Sequence, residues 1–385
     1  MKVISIFFLL LHFGIIAADN AEGAYVSFKN YGRDVALFTS ETANIYTSNI
    51  GQEFYLNHKI IIQVEKGYKD KFTHLTGVFQ TQLLSELSNS DIVLISPQKG
   101  QFLTVYKRLE NISSVEAVQP DYAIVKNHHR TSKARKGVNI HFKPPNRLQN
   151  SQCEVSISPT RIAIIDDGFD FSSTALSPFN VLLEYDADRQ EVMIADTTRV
   201  AGHGTMVASV IASQLNSKPI SKMSHVAEVV AIQQASTLNS AMILAFSVAQ
   251  KMNADIVNSS WTLPFVSQLL ASVIDDGLLH GDVSFVIVSA GNHAQDACIS
   301  NKLSVIEGVT TIGALSKDGS IAPFSNYGNC VDYYAPSTAL LQKQNKRIAV
   351  SGTSSAAAMA TGEFSYLLSC GLSNNDIEIK NNKLK

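Results

Sequence analysis

Four short segments carry side chains able to move a proton, attack a carbonyl or stabilise an oxyanion. IAIIDDGFD (162–170) runs an apolar stretch into Asp166, Asp167 and a Gly. A carboxylate at a strand end can orient a histidine and stabilise its protonated form; an Asp there can equally end the strand or cap a turn. GHGTMVASVIA (202–212) sets His203 between two Gly at the start of an amphipathic helix, with Met206, Val207, Val210 and Ile211 on its buried side. The flanking Gly let other backbone approach the imidazole, which can accept a proton from a hydroxyl. FVIVSAGNHA (285–294) runs a very apolar strand into Ser289, Ala290, Gly291 and Asn292. The Asn292 amide can aim its NH2 at a developing oxyanion, or satisfy a local turn. VSGTSSAAAMATG (350–362) places Thr353 and Ser354 before a run of small residues with high helix propensity. Ser354 then sits at a helix N-terminus, where the dipole favours negative charge; a plain N-cap is the bland alternative. No second His or Cys stands near His203 at a metal-ligand spacing, which argues against zinc.

The elements that must position these residues read as α/β. RIAIID, VVAIQQ, ADIVNSS, VSFVIVSA and VTTIGA are short Val/Ile-rich runs, and helical stretches such as NSAMILAFSVAQKM alternate with them. Strands apolar throughout and separated by helices predict a mostly parallel sheet with helices on both faces. In such sheets ligands bind beyond the carboxyl ends of the strands. Upstream, residues 59–126 read as a small ferredoxin-like α+β module. IIIQV, DIVLIS and QFLTVY are expected as strands and TGVFQTQLLSEL (76–87) as a helix. LENISSVEAVQPDYAIV is expected as a short helix, a turn and a strand, which completes a β-α-β-β-α-β order. Residues 19–58 hold weak alternating segments without an assignment. Residues 127–157 are basic and Pro-containing and read as an exposed linker, with 373–385 a polar tail.

The first 18 residues, MKVISIFFLLLHFGIIAA, have a positive start, an apolar middle and small residues at the end. That reads as a cleaved secretory signal, since the apolar run is short of the roughly 20 residues of a spanning helix; an uncleaved anchor is the alternative. The rest of the chain is therefore expected outside the cytoplasm, extracellular or periplasmic, with no membrane contact once the signal is cleaved. The 385 residues carry 31 Lys and Arg against 33 Asp and Glu, a net charge of −2. That offers no electrostatic footing for nucleic acid. Four Cys in this length exclude a disulfide-built scaffold.

Taken together, the order Asp, His, Asn, Ser resembles the subtilases, the subtilisin-like serine proteases, since Asp…His…Ser is the chain order of the subtilisin triad. IDDG (165–168), HGTMVA (203–208) and GTSSA (352–356) match the family's three motifs, SAGN (289–292) its oxyanion segment, and SNYGNCVDYYAP (325–336) a further common stretch. The resemblance covers about 160–370. It implies a catalytic domain at 158–372, a triad of Asp166, His203 and Ser354, and Asn292 as oxyanion donor, with Asp167 a structural acid. It implies a substrate wall from Ser260, Trp261, Thr262, Ala290, Gly291 and Thr353. No cofactor is implied for catalysis; structural calcium stays unassigned, because no clear carboxylate ligands follow His203. Partners are protein or peptide substrates, and the chain's own propeptide as inhibitor and folding aid, since SSVEAVQPDYAIV resembles the closing strand of subtilase propeptides. Self-cleavage is then expected within 125–140.

The sequence departs from the family at several points. Ala358 replaces a Pro, and Thr262 replaces a Gly that lets substrate lie close. The cleft edge at 234–240 looks shortened. Trp261, the single Trp, reads equally as pocket wall or core. By resemblance Cys298 pairs with Cys330, which leaves Cys153 and Cys370 to pair with each other or stay apart. Sequons stand at Asn111 and Asn258. A lipase would need G-x-S-x-G, which Ser354 lacks. A subtilase-fold binding module that has lost activity is the alternative to an active protease.

Overall fold

The computed structural model describes residues 23–67, 72, 74–75, 77–125, 159–172, 176, 179–193, 202–217, 227–280, 283–343 and 346–377. The expected signal, the linker at 127–157, the self-cleavage window beyond 125 and Cys153 lie outside the described residues.

Alternating residues build an antiparallel sheet at the N-terminal side. β1 (Val26–Asn30) and β2 (Arg33–Thr39) form a hairpin whose two turn residues, Tyr31 and Gly32, both have positive φ. That is the turn geometry matched to strand twist. β3 (Ile45–Ser48) follows and pairs with the start of β4 (Glu53–Glu65). β5 (Val78–Glu86), β6 (Ser90–Pro97), helix α1 (Phe102–Leu109) and β7 (Val115–Ile124) complete the unit. β4 carries β6 on its second half and β7 along most of its length, and every pairing is antiparallel. The small unit therefore begins well before residue 59: the unassigned 19–58 stretch contributes three strands to the same sheet.

Three local expectations are corrected. The helix expected at 76–87 is strand β5, and the strand expected in QFLTVY is helix α1. The short helix expected after Leu109 is a turn that leads into β7.

The C-terminal unit is the doubly covered sheet. Its elements are β8 (Thr160–Asp166), β9 (Phe179–Asp186), β10 (Glu191–Val192), α2 (His203–Asn216), β11 (Ala227–Gln233), α3 (Asn239–Lys251), β12 (Ile256–Ser259), α4 (Gln268–Leu279), β13 (Phe285–Ser289), α5 (Ala297–Ser300), β14 (Val309–Leu315), β15 (Tyr333–Pro336), β16 (Thr338–Lys343), β17 (Lys346–Ser351) and α6 (Thr353–Ser369). The sheet order is β10-β9-β11-β8-β12-β13-β14-β15. All neighbours from β9 to β15 are parallel; β10 alone runs antiparallel, and β16–β17 is a separate hairpin. Side chains alternate faces: Ile162 and Ile164 pack on one side with α2 and α6, while Ala163 and Ile165 pack on the other with α3 and α4. The middle of β8, from Ile162 to Ile165, is thus apolar at every position. The expected polar tail begins packed, not frayed: Asn374 donates to Ser284 O and Ile377 is wholly buried.

The two units share a core. Phe54 and Tyr122 of the N-terminal sheet stack edge-on against Phe265, and the cluster continues into Met242, Phe246 and Leu269 of α3 and α4. Polar groups seal the boundary. The buried Asp121 carboxylate accepts from Ser240 N (2.9 Å), Ser240 Oγ (2.7 Å) and Asn57 Nδ2 (2.6 Å). It thereby meets the first turn of α3, where N–H groups lack helical partners. The end of β7 reaches further, with Ala123 bridging Leu238 in antiparallel fashion and Thr237 Oγ1 donating to Ile124 O at 3.3 Å.

Candidate active site

The first and second segments meet through their side chains. β8 ends at Asp166, whose carboxylate is 3% exposed, while His203 opens α2 with 35% of its side chain exposed. His203 Nδ1 lies 2.9 Å and 3.0 Å from the two Asp166 oxygens. Gly204 makes the approach possible: a Cβ there would stand 2.7 Å from Gly168 O and 2.9 Å from Asp166 Cβ. Asp167 turns the other way and accepts from Gly204 N at 3.2 Å, which supports the N-terminus of α2. Burial pulls the His203 pKa down, but the hydrogen bond and charge of Asp166 and the charge of Asp167 outweigh it, so the value is raised above the ordinary 6.5.

The third and fourth segments interlock. Asn292 Oδ1 accepts from Thr353 N and Thr353 Oγ1, both at 2.9 Å, and Thr353 Oγ1 accepts from Gly291 N at 3.1 Å. With its oxygen used twice, the exposed Asn292 amide presents Nδ2 outward. Ser354 is the second residue of α6, after an N-cap at Gly352. Its N–H therefore has no partner within the helix. Its hydroxyl donates to Ser260 O at 2.8 Å. Ser354 is thus at the edge formed after β12, and Ser260 Oγ is held by Asn258 Oδ1 at 2.9 Å.

The expected substrate wall divides. Ser260, Trp261 and Thr262 follow β12, next to β8. Trp261 donates from Nε1 to Ile165 O at 2.8 Å and packs against the core, so its indole ties two strand ends together. Ala290 and Gly291 are buried, and their backbone groups are hydrogen-bonded within the protein. Ala290 N donates to Ile312 O, and Asn326 Nδ2 donates to Ala290 O. Gly291 O accepts from Asn326 N. Asn326 is the hub that sequence reasoning missed: its Oδ1 also accepts from His293 N and Gln295 N, both at 3.0 Å. A Cβ on Gly291 would meet its Nδ2 at 2.4 Å, and φ at Gly291 is +106°. Only Gly fits there.

Cys298 and Cys330 form a disulfide, while the Cys153–Cys370 pairing lies outside the described residues. Asn258 is wholly buried in β12, which removes it as a glycan acceptor; Asn111 is exposed. Ala358 is wholly buried and continues α6 without interruption. Among the described residues no group of three or more His, Cys, Asp or Glu is placed to hold a metal ion, and no helix is long and apolar enough to cross a membrane.

Comparison with known proteins gives the family and the fold. A family model described as the Subtilase family matches residues 158–382. "Thermophilic serine proteinase" of Bacillus sp. (strain AK1) is 27% identical over 290 residues, 73% of this chain and 69% of that protein. "Subtilase-type proteinase psp3" of Schizosaccharomyces pombe is 36% identical over 107 residues, 26% of this chain, and the match spans only 24% of that relative. Fervidolysin from Fervidobacterium pennivorans, described as a keratinolytic enzyme related to subtilisin, superimposes with a TM-score of 0.59 and 21% identity. That likeness of fold covers 91% of this chain and 59% of the other.

Proposed function

The chain belongs to the subtilase family, and from that premise we propose that it is a secreted serine endopeptidase made as an inactive precursor. The observation that carries the reading is the two-oxygen contact of Asp166 with His203 Nδ1 at the end of β8, with Ser354 bonded to Ser260 O just past the neighbouring strand β12. Asp166 holds His203 with Nδ1 protonated, leaving Nε2 as the base. Ser354 gives up its bond to Ser260 O, passes its proton to Nε2 and attacks the scissile carbonyl. His203 then protonates the leaving amine, and water repeats the sequence on the acyl-enzyme. Asn292 Nδ2 and the Ser354 N–H receive the oxyanion; losing one such donor costs about 10²–10³-fold in kcat. No cofactor takes part.

The reading extends to the rest of the chain. Residues 1–18 are the signal and 127–157 hold the processing site. The N-terminal sheet is the propeptide, with the Ala123–Leu238 bridge leading its last strand toward the cleft. One observation favours the alternative of an inactive binding module: the Ser354 hydroxyl is bonded to Ser260 O. The test is to express the precursor beside a Ser354→Ala version and follow chain length and the new N-terminus. Loss of roughly 125–140 residues in the first protein only is the expected result. If both stay full length and a covalent serine-hydrolase probe leaves Ser354 unlabelled, the protease reading fails and the binding module stands.

A further inference from the structure

β8 ends between two edges. On one side the chain leaves β12 into Ser260, whose carbonyl faces Ser354. On the other it leaves β11 at Gln233, level with Asp166, and Gln234 N donates to Asp166 O at 2.7 Å. The next residues, 235–238, form the second edge. Leu238 is the residue that takes an antiparallel bridge from Ala123, and Thr237 donates to Ile124 O. This edge therefore pairs with an extended strand.

The edge is not self-supporting. Thr237 has φ +57°, a conformation that a β-branched residue adopts only when held. The hold comes from the turn between β9 and β10. There Asp188 Oδ2 accepts from Ala235 N (2.8 Å) and Ser236 N (3.2 Å), and Oδ1 accepts from Ser236 Oγ. Ser236 Oγ in turn accepts from Leu238 N at 3.1 Å. One carboxylate thus fixes the backbone on the N-terminal side of Thr237 directly and the C-terminal side through a serine. The turn is itself anchored, with Ala187 N donating to Gln233 O and Arg189 N to Asp186 Oδ1, both at 2.9 Å. The three bonds of the Asp188 carboxylate go to Ala235 and Ser236, and none of them reaches Asp166, His203, Asn292 or Ser354.

We propose that Asp188 is a positioning residue for peptide substrate: it holds the 235–238 edge in the shape that pairs with an extended chain, and so governs binding of residues on the amino side of the cleaved bond, not the chemistry. The proposal rests on the peptidase reading above. The test uses the full chain, matured by its own cleavage, unmutated and as Asp188→Ala and Asp188→Asn. Two substrates are compared: a peptide reproducing the self-cleavage junction with several residues before the cut, and an ester of its last residue alone. Losing hydrogen bonds to an ionised group should raise KM for the peptide about 10- to 100-fold in Asp188→Ala, with kcat nearly unchanged. The ester should be hydrolysed at the unmutated rate. Asp188→Asn keeps an oxygen for the two N–H groups and should fall between. Amide exchange should quicken at Ser236 and Leu238 but not at Ile232, which marks the variant as folded. Equal loss on both substrates, or no loss on the peptide, overturns the proposal. An unmutated chain that hydrolyses neither substrate sinks the peptidase reading itself, and the proposal with it.

Discussion

His203 is pulled in two directions, and the balance sets a pH dependence of known sign. Burial disfavours its charged form; the Asp166 hydrogen bond, the Asp166 charge and the Asp167 charge favour it and prevail. The proposed base must be neutral, so kcat/KM should fall as pH drops through a value above the ordinary 6.5. Asp167→Asn removes one of the raising charges and should move that acid limb to lower pH, as read from the kcat/KM profile of the matured protein. An unmoved limb would mean that solvent screens the Asp167 charge. Stability runs the opposite way. A group whose pKa is raised by folding stabilises the fold below its unfolded value, and the contribution is lost as pH rises through the folded value. The pair therefore contributes most in acid, where the base is protonated. At this scale the sequence showed the four chemical residues because each stands within two residues of a Gly, at the end of an apolar strand or the start of a helix. It did not show Asp121 or Asp188, whose partners lie 119 and 47 residues away. Nor did it show that the carbonyls of Ala290 and Gly291 both accept from Asn326, since nothing local marks a buried backbone.

The parallel strands were legible because burial on both faces leaves a continuous Val/Ile run that little else produces. β5 and α1 exchanged identities for opposite reasons. β5 carries register shifts between Val78 and Gln80 and between Leu83 and Ser85, which break its alternation and leave apolar residues at helical intervals. In α1 the buried residues are Phe102, Val105, Tyr106 and Leu109, a helical stripe that appears only when the window reaches Leu109. The β1–β2 hairpin has too weak an alternation to be assigned from sequence, yet its tip clasps the start of α4. Buried Asn30 donates from Nδ2 to Val266 O at 3.1 Å and accepts at Oδ1 from Gln268 N at 2.7 Å, while Tyr31 N donates to Gln268 Oε1 at 2.8 Å. Asn30→Ala leaves a buried carbonyl and an N–H unpaired, at about 1–3 kcal/mol each. In the uncleaved Ser354→Ala background, urea unfolding should register a loss of that order. Asn30→Asp keeps the acceptor at the helix N-terminus but sets an oxygen against Val266 O, so it should recover only part. Lys29→Ala breaks the exposed ion pair with Asp34 on the same hairpin and should cost less than about 1 kcal/mol. If Asn30→Ala costs no more than Lys29→Ala, the hairpin tip rests on α4 without holding it.

Across the whole molecule the core does not respect the boundary between the two sheets. One face of the parallel sheet packs on α2 and α6 in a cluster of its own; the other face, with α3 and α4, merges with the interior of the N-terminal sheet. Phe54 is at the junction. It is wholly buried, its ring 4.8 Å from Tyr122 and 5.2 Å from Phe265, both edge-on. Truncating a buried Phe to Ala costs about 3–5 kcal/mol, a large share of the roughly 5–15 kcal/mol that holds a domain folded. Where that loss is felt depends on whether the units unfold together. Trp261, the single Trp, reports on the C-terminal unit through its bond to Ile165 O at the end of β8. Far-ultraviolet dichroism reports on both units. In Ser354→Ala protein, which cannot cut itself, Phe54→Ala should lower the midpoint of the Trp261 signal and the dichroism signal by the same amount, although Phe54 and Trp261 belong to different units. A Trp261 midpoint that stays in place while an earlier transition appears would mean that the N-terminal sheet melts alone. The shared core argues against that outcome: once Phe54 and Tyr122 leave, Phe265 and the outer faces of α3 and α4 meet water, and burying that apolar surface is what couples the two units in the uncleaved chain.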